Sequence, residues 1–221
     1  GKEWVTGNQC NYTEEEIAEG FEMIQSLEEA HVIPTLQMIA DNAANPVEQS
    51  PVWTGGKWAG VYTWNTSSAN PKAALPNPEA MVTSHMFEGF PHKGGMFRAS
   101  MTFGITKTCK YPKEAAALLE FMLNDPEGVA LMANERGIPY SKAGLEALEA
   151  SGNVDELTKM ATEYALEDNT FPMDEYFECS EYKATTEGLY DKVFNAFAYG
   201  ETDAKGAAKM LLDGMNAKMS K

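Results

Sequence analysis

The sequence predicts a helix-rich α/β protein. Apolar residues recur at helical spacing near both ends of the chain, and short runs rich in aromatic and β-branched residues lie between residues 58 and 106. At 221 residues the chain is long enough for one large domain or two small ones. Apolar residues make up 43% and charged residues 23%, which excludes a wholly disordered or collagen-like chain.

The first predicted element is a helix from about Thr13 to about His31. Thr13 and Glu16 have the spacing of a capping box, in which each side chain bonds a free backbone amide at the start of a helix. The residues that then recur at helical spacing predict one buried face, and they are Ile17, Phe21, Ile24 and Leu27.

Short strands are predicted in the middle of the chain, where Asn, Pro, Gly and Ser are frequent and helical periodicity is lost. Aromatic and β-branched side chains favour an extended backbone. On this basis the predicted strands are Trp58–Trp64, Met81–Phe87 and Met101–Thr106.

Helices are predicted over most of the second half. Pro112 stands at a helix start, where its missing N–H costs little, and an apolar helix follows over Ala115–Leu123. Asp125 is predicted to cap the next helix. The remaining predicted helices are Ser141–Ala150, Asn153–Leu166, Ala184–Tyr199 and a last helix capped by Thr202 that runs to about Met219.

The charge of the chain excludes two classes of partner. Asp and Glu number 33 against 17 Lys and Arg, which gives a net charge of −16. Such a surface repels phosphate groups, so we predict no nucleic-acid partner and no direct contact with an anionic membrane. The sequence also contains no apolar run near the roughly 18 residues that a membrane-spanning helix needs.

The sequence lacks the local signatures of serine hydrolases, zincins, P-loop proteins and Rossmann proteins. Its cysteines, Cys10, Cys109 and Cys179, are far apart and include no CxxC pair, which argues against a zinc site or a disulfide framework. His85 and His92 lie among loop-forming residues without further ligands at metal-binding spacing. We therefore predict no catalytic residue, no metal and no cofactor.

Aromatic residues in irregular segments are the best indication of a binding site. One group lies near residue 60 and a second in the late segment 169–182, and they are Trp53, Trp58, Tyr62, Trp64, Phe171, Tyr176, Phe177 and Tyr182. Aromatic faces offer a flat apolar platform to sugar rings, and nearby polar groups bond the hydroxyls. The competing explanation is that part of these rings fills a core.

An enzymatic explanation stays open beside the binding one. Adjacent carboxylates such as those of Asp174 and Glu175 suit glycoside hydrolysis. In a chain this acidic, however, adjacent carboxylates also arise by chance and are then simply solvated. The alternative function is therefore a carbohydrate-active hydrolase that uses an Asp/Glu pair.

Four stretches of the chain occur in an order that resembles one known family. They are Gly56–Val61, the run from Gly104 through Pro112 to Leu123, the run from Asn124 through Pro126 to Pro139, and Gly200–Asn216. Together they resemble the C-terminal half of the extracellular solute-binding proteins of sugar ABC transporters, the maltose-binding-protein-like family 1. The resemblance covers the chain from about Thr13 to its end.

The resemblance implies the C-terminal portion of a two-lobed periplasmic-binding-protein type 2 fold. It places residues 1–65 in a lobe-two segment with the first helix and strand, residues 66–108 in the hinge and a return through lobe one, and residues 109–221 in the helical C-terminal part of lobe two. The N-terminal half that the family usually has is not in this sequence, so the resemblance implies a fragment.

The function implied by the resemblance is that of the substrate-binding component of a bacterial ABC importer, not of an enzyme. Such a protein captures a small-molecule carbohydrate in the cleft between its lobes and presents it to the permease subunits. The resemblance further implies a monomeric lipoprotein, extracellular or periplasmic, that contacts the membrane only through a lipid anchor outside this segment.

The residues predicted to contact the ligand come from three places in the sequence. They are Trp64, Asn65, Arg98, Phe171, Tyr176 and Tyr182. Trp64 and Asn65 combine a stacking face with an amide. The guanidinium of Arg98 can fork to two sugar hydroxyls or to a carboxylate, with a surface ion pair as the alternative. The three rings of the late segment are expected to line the lobe-two face of the cleft.

Overall fold

The structure is a computed structural model that describes residues 2–43, 45–84, 96–97, 101–133, 138–167 and 171–220. The chain divides into two compact units. Unit 1 combines Gly1–Pro46 with Phe171–Lys221, and unit 2 is Val47–Thr170.

The described residues form mainly helices. In unit 1 these are α1 (Glu14–Glu29), α2 (Leu36–Asn42), α9 (Ser180–Lys183), α10 (Leu189–Ala198) and α11 (Ala204–Met219). In unit 2 they are α3 (Pro51–Thr54), α4 (Ala69–Ala73), α5 (Pro112–Asn124), α6 (Pro126–Met132), α7 (Lys142–Ser151) and α8 (Glu156–Glu167), with 3-10 turns at Val47–Gln49, Asn65–Ser67 and Pro78–Ala80. The strands are β1 (Val5–Thr6), β2 (Gln9–Cys10), β3 (Met96–Phe97) and β4 (Phe171–Pro172).

Helix α1 begins as the sequence predicts. The Thr13 hydroxyl accepts a hydrogen bond from the Glu16 amide at 3.3 Å, and the Glu16 carboxylate accepts one from the Thr13 amide at 2.8 Å. Two otherwise unpaired amides of the first turn are satisfied in this way, which confirms the capping box. Ile17 and Phe21 are buried, as predicted from their spacing.

The core of unit 1 lies where α1 and α10 pack against α11. The ring of Phe21 lies 5.3 Å from that of Phe194 and 5.0 Å from that of Phe197, in the tilted and edge-on arrangements that aromatic rings prefer. The buried residues of this cluster are Cys10, Ile17, Ala18, Phe21, Tyr182, Val193, Phe197, Ala204, Ala207, Ala208, Leu211, Met215 and Met219. Strands β1 and β2 pair antiparallel beside it, with Val5 opposite Cys10.

Two helix starts in unit 1 differ from the sequence prediction. Helix α10 begins at Leu189 rather than at Ala184, because the chain makes a tight turn before it. A Cβ atom at Gly188 would lie 2.5 Å from the Tyr182 carbonyl oxygen, so the turn needs a glycine there. The last helix is capped by Asp203 rather than by Thr202, since the Asp203 carboxylate accepts from the Gly206 amide at 2.8 Å.

Of the helix starts predicted in unit 2, those at Pro112, Asp125 and Ser141 are confirmed to within one residue. Helix α8 begins at Glu156 rather than at Asn153, because the Asp155 carboxylate caps it there. The core of unit 2 is smaller than that of unit 1. Pro112 opens α5, and the Asp125 carboxylate caps α6 by accepting from the Glu127 amide at 2.9 Å. The buried cluster described for this unit consists of Val129, Leu148 and Val154, with Ile138 and Ala147 packed against it. No residue of α5 is fully buried.

The strand predictions in unit 2 are wrong for the residues that the structure describes. Residues 58–64, 81–84 and 101–106 have no regular secondary structure, and residues 85–87 lie outside the described ranges. A strand exists only when its backbone bonds a neighbouring strand. Aromatic and β-branched composition favours an extended backbone, but it does not provide that neighbour.

Candidate functional site

In unit 2, Trp64 and Asn65 are adjacent at the start of the 3-10 turn Asn65–Ser67. The Trp64 side chain is 43% exposed, although the residue also has an interaction within the protein. The Asn65 amide nitrogen donates to the Thr162 hydroxyl of α8 at 3.0 Å. Helix α8 therefore holds the Asn65 amide in place, and the residue that precedes it in sequence carries a partly exposed indole.

Buried hydroxyl groups connect the 3-10 turn Asn65–Ser67 to the start of α8. The hydroxyl oxygens of Ser68 and Thr158 are 3.2 Å apart, and the Thr158 hydroxyl donates to the Asp155 carboxylate at 2.5 Å. The same carboxylate accepts from the amides of Leu157 and Thr158 and so caps α8. Because these polar groups are satisfied within the protein, the network fixes the turn relative to α8.

A concavity of about 500 Å³, open to solvent, lies beside the network. Its lining includes Lys72 and Asp155, whose charged atoms are 3.8 Å apart, and its full lining is Ala69, Lys72, Ala73, Pro78, Asn153 and Asp155. The volume lies within the range of roughly 300–1,000 Å³ that small-molecule sites occupy. Sequence reasoning missed these residues, because single charged and amide side chains give no signal in a chain with so many of them.

In unit 1, Tyr176 lies in the predicted aromatic segment and is half-buried against the core cluster. Its hydroxyl donates to the Asn8 side-chain oxygen at 2.6 Å, and its amide donates to the Asp174 carboxylate at 2.9 Å. Partial desolvation and the nearby Glu175 carboxylate raise the pKa of the Tyr176 hydroxyl. Tyr176 is thus a neutral hydrogen-bonding group in a fixed orientation.

Tyr182 is placed differently, because it belongs to the core of unit 1. Its side chain is 1% exposed, and its hydroxyl donates to the Met215 carbonyl oxygen at 3.2 Å. Burial raises the pKa of this hydroxyl to about 12. Tyr182 therefore fills the core, as the competing explanation for these rings allows. Its prediction as a ligand contact is corrected accordingly.

The other predicted contacts fall in different parts of the chain. Phe171 is half-buried in β4 of unit 1. Arg98 lies outside the described residues. Trp64 and Asn65, which are consecutive in sequence, belong to unit 2, whereas Phe171 and Tyr176 belong to unit 1.

Within the described residues, no group of three or more His, Cys, Asp and Glu side chains is arranged to hold a metal ion. Nor does this part of the chain contain a helix long and apolar enough to cross a bilayer. The pKa of the Cys10 thiol is raised by burial, which is opposite to what a nucleophilic cysteine needs.

No protein-family model matches the chain. Several solved structures share its fold. A periplasmic oligogalacturonide binding protein from Yersinia enterocolitica, in complex with saturated digalacturonic acid, matches with a TM-score of 0.84 and 24% identity over 99% of this chain and 55% of that chain. A periplasmic solute binding protein from Pectobacterium atrosepticum matches with a TM-score of 0.80 and 23% identity over 98% and 54%.

A de novo designed cysteine esterase also matches, with a TM-score of 0.77 and 25% identity over 99% of this chain and 55% of that chain. The chain spans about half the length of these structures. The fold is therefore that of a partial periplasmic solute-binding protein, helix-rich and α/β, which confirms the fold class predicted from the sequence.

Proposed function

We propose that this chain is part of the substrate-binding component of an ABC importer and that it takes part in binding a carbohydrate. The observation that carries the proposal is the match of 99% of the chain to a periplasmic oligogalacturonide binding protein with a TM-score of 0.84. The complete protein would be bacterial, periplasmic or extracellular, with a lipid anchor outside this segment. Within this chain we place the boundaries between lobe segments after residues 65 and 108.

The proposed mechanism is capture by closure. In the complete protein two lobes enclose the sugar, and the closed form is the one that the permease subunits recognise. No bond is broken, so the site needs stacking faces and fixed hydrogen-bonding groups rather than a nucleophile. Trp64 and Asn65 provide one of each kind, and α8 holds the amide through Thr162.

The remaining proposed contacts are Phe171, Tyr176 and Arg98. A half-buried ring such as Phe171 can offer one face to a sugar, and the Tyr176 hydroxyl can exchange its bond to Asn8 for one to a ligand. Arg98 is retained because its planar, bidentate donor set matches a pair of hydroxyls or a carboxylate.

The experiment is calorimetry on the product of the complete reading frame with oligosaccharides, including digalacturonic acid and maltose. Once one of them binds, Trp64→Ala should weaken its binding by about 1–3 kcal/mol, the cost of losing an aromatic contact. Tyr140→Ala is the matched control, because Tyr140 is a fully exposed aromatic residue of the same unit and is not among the predicted contacts. Unchanged affinity with a lowered melting temperature would instead make Trp64 a structural residue.

Two hydrolase functions are less well supported. The designed cysteine esterase that shares the fold suggests ester hydrolysis, but the raised pKa of Cys10 does not favour thiolate attack from that residue. An Asp/Glu pair such as Asp174–Glu175 suggests glycoside hydrolysis, yet the Asp174 carboxylate already accepts the Tyr176 amide. Release of reducing ends from a bound oligosaccharide, or turnover of a p-nitrophenyl ester that is lost on replacing the cysteines, would support an enzyme over a binding protein.

A further inference from the structure

The proposed sugar contacts leave the concavity of unit 2 without an assigned role. It has a volume of about 500 Å³ and a wall of two kinds. Three side chains give apolar surface and three give polar groups, and they are Ala69, Ala73, Pro78, Lys72, Asn153 and Asp155. An apolar wall with a few polar groups is the usual composition of a small-molecule site.

The charged pair in this wall leaves room for one more polar group. The Lys72 Nζ atom lies 3.8 Å from the Asp155 Oδ1 atom, and the two side chains are 23% and 30% exposed. A direct N–H···O hydrogen bond is about 2.7–3.2 Å long, so this pair attracts electrostatically at a distance too long for such a bond. A hydroxyl group placed at the pair can accept from the ammonium and donate to the carboxylate at the same time.

The polar groups of the concavity are already held by the protein. The Asp155 carboxylate accepts from the amides of Leu157 and Thr158 at 3.1 and 3.3 Å and from the Thr158 hydroxyl at 2.5 Å. A carboxylate has about four acceptor positions, so one further hydrogen bond is available. The Asn153 side-chain nitrogen donates to the Ala130 carbonyl oxygen at 3.0 Å. Binding at these groups therefore costs little ordering of side chains.

The charges around the concavity select a neutral ligand. The Asp155 carboxylate and the net charge of −16 oppose an anion, and the Lys72 ammonium opposes a cation. A neutral hydroxyl group meets neither repulsion and bonds both partners. The apolar face of a ring can at the same time cover Ala73 and Pro78, which removes apolar surface from water. Hydroxyl groups and an apolar ring face occur together in cyclic polyols.

The turn that carries Asn65 is supported by a different stretch of α8. Asn65 bonds Thr162, which follows Asp155 by seven residues, or about 10 Å along a helix. Between these positions Thr158 is 1% exposed, and its hydroxyl oxygen lies 3.2 Å from that of Ser68, which is 5% exposed. The protein is therefore closed at that position, and the concavity and the turn are separate places on unit 2.

We propose that the concavity of unit 2 is a second binding site, for a neutral cyclic polyol of the size of a monosaccharide. One hydroxyl group of the ligand bridges the Lys72 ammonium and the Asp155 carboxylate, and the C–H face of its ring packs on Ala73 and Pro78. The site is built from residues of this chain alone, so it does not depend on the proposed function or on the Trp64 contact.

The test measures how fast an N-hydroxysuccinimide ester acetylates Lys72 in the product of the complete reading frame, with the modified sites located by mass spectrometry. Glucose and myo-inositol are the probes. Bound ligand slows the reaction by a factor of 1 + [L]/Kd, so Lys72 should react about tenfold more slowly at about ten times the Kd. Lys142 is the matched control and should keep its rate, because it belongs to the same unit with its Nζ atom 3.7 Å from a Glu146 carboxylate oxygen and its side chain 89% exposed.

Two kinds of variant test where the polyol binds. Ala73→Leu should abolish the slowing while both charges stay in place, because the larger side chain occupies the space of the ligand. Ala116→Leu, at an exposed position of α5, is its control and should retain the slowing. Trp64→Ala should also retain it, since the two sites are separate.

The proposal would be overturned if Lys72 kept its rate up to the solubility limit of both polyols, or if Lys142 slowed equally. Slowing by acetate but not by the polyols would overturn it in favour of an anion site. Unchanged slowing in Ala73→Leu would place the ligand elsewhere, and lost slowing in Trp64→Ala would merge the concavity with the proposed sugar site. Failure of every oligosaccharide to bind in calorimetry would overturn the proposed function and leave the Lys72 result unaffected.

Discussion

Units 1 and 2 are both mainly helical, but they bury their apolar side chains to different extents. In unit 1, α1 and α10 pack on α11, and the largest buried side chains include Tyr182 and Met215. In unit 2 the buried hydrophobic residues, among those that the structure describes, are Trp53, Val129, Leu148, Val154 and Leu157, and only Val129, Leu148 and Val154 form a cluster.

The difference is clearest between α1 and α5, because both carry the same sequence signal. In α1 the pair Ile17 and Phe21 is buried, whereas in α5 the pair Leu118 and Phe121 is exposed. An amphipathic pattern specifies which face of a helix is apolar, but it does not specify whether the same stretch of chain covers that face. Tertiary partners decide this, and most helical stability in proteins depends on such packing.

The largest expected effect tests the core of unit 1. Phe21→Ala should lower the free energy of unfolding by about 3–5 kcal/mol, because it removes a buried ring that packs on Phe194 and Phe197. Chemical denaturation followed by circular dichroism measures this change. Met23→Ala, on the exposed side of the same helix, should change the free energy by less than about 0.5 kcal/mol. A similar cost for the two variants would contradict the conclusion that unit 1 has a well-packed core around Phe21.

A smaller effect is expected in unit 2. Leu148→Ala should cost about 2–3 kcal/mol, near the lower end for a buried leucine, since its few neighbours can partly fill the space. The effect should also be local. Hydrogen exchange should speed up in α6 and α7 while the amides of α11 keep their rates. Equal acceleration in α11 would show that the two units unfold together.

The sequence identified elements whose signals are local. The capping box of Thr13 and Glu16 and the cap by Asp125 involve residues within one helical turn, and both are confirmed. The strands at 58–64 and 101–106 could not be judged in this way, because a ladder needs a partner distant in sequence. The helix start at Ala184 failed because the turn before Leu189 depends on contacts of Gly188 that spacing does not reveal.

The candidate site, like the fold, could be predicted from the sequence only in part. Trp64 and Asn65 were predicted from residue type, and the structure explains how Asn65 is held through Thr162, which lies 97 residues away in sequence. Tyr182 has the same residue type as Tyr176, yet it lies in the core. Aromatic composition therefore selects candidate residues, and burial removes the candidates that belong to the core.

Tyr182→Phe is expected to have a smaller effect than the core truncations, and it sharpens the distinction between core and site. Removing the hydroxyl leaves the Met215 carbonyl without that bond and should cost about 1 kcal/mol in the free energy of unfolding. Affinity for any oligosaccharide that the complete protein binds should not change. Tyr176→Phe is the comparison variant, because its hydroxyl bonds Asn8 near the surface. Reduced affinity in the Tyr182 variant alone would return this residue to the ligand site.

The smallest expected effect concerns the surface of unit 1 and its dependence on pH. The Lys218 ammonium, which donates to the Glu181 carboxylate, is the main cause that lowers the pKa of Glu181 from 4.5 to about 2. A carboxyl group with a lowered pKa stabilises the fold above its unfolded value, and this contribution is lost as the pH falls from about 4.5 towards 2. Glu181→Gln should therefore lower the melting temperature slightly at pH 7, and this difference from the original protein should disappear near pH 2.

Glu187→Gln is the matched control for this measurement. The Glu187 carboxylate lies 3.4 Å from the Lys192 ammonium, and its side chain is 82% exposed, so the pair is well screened by solvent. Melting curves of the three proteins at pH 7, 4.5 and 2.5 should separate Glu181→Gln from the other two at pH 7 and bring it closer to them at pH 2.5. Because Glu181 and Lys218 join α9 to the end of α11, a difference that stays constant with pH would mean that the glutamine disturbs packing between these helices rather than an ion pair.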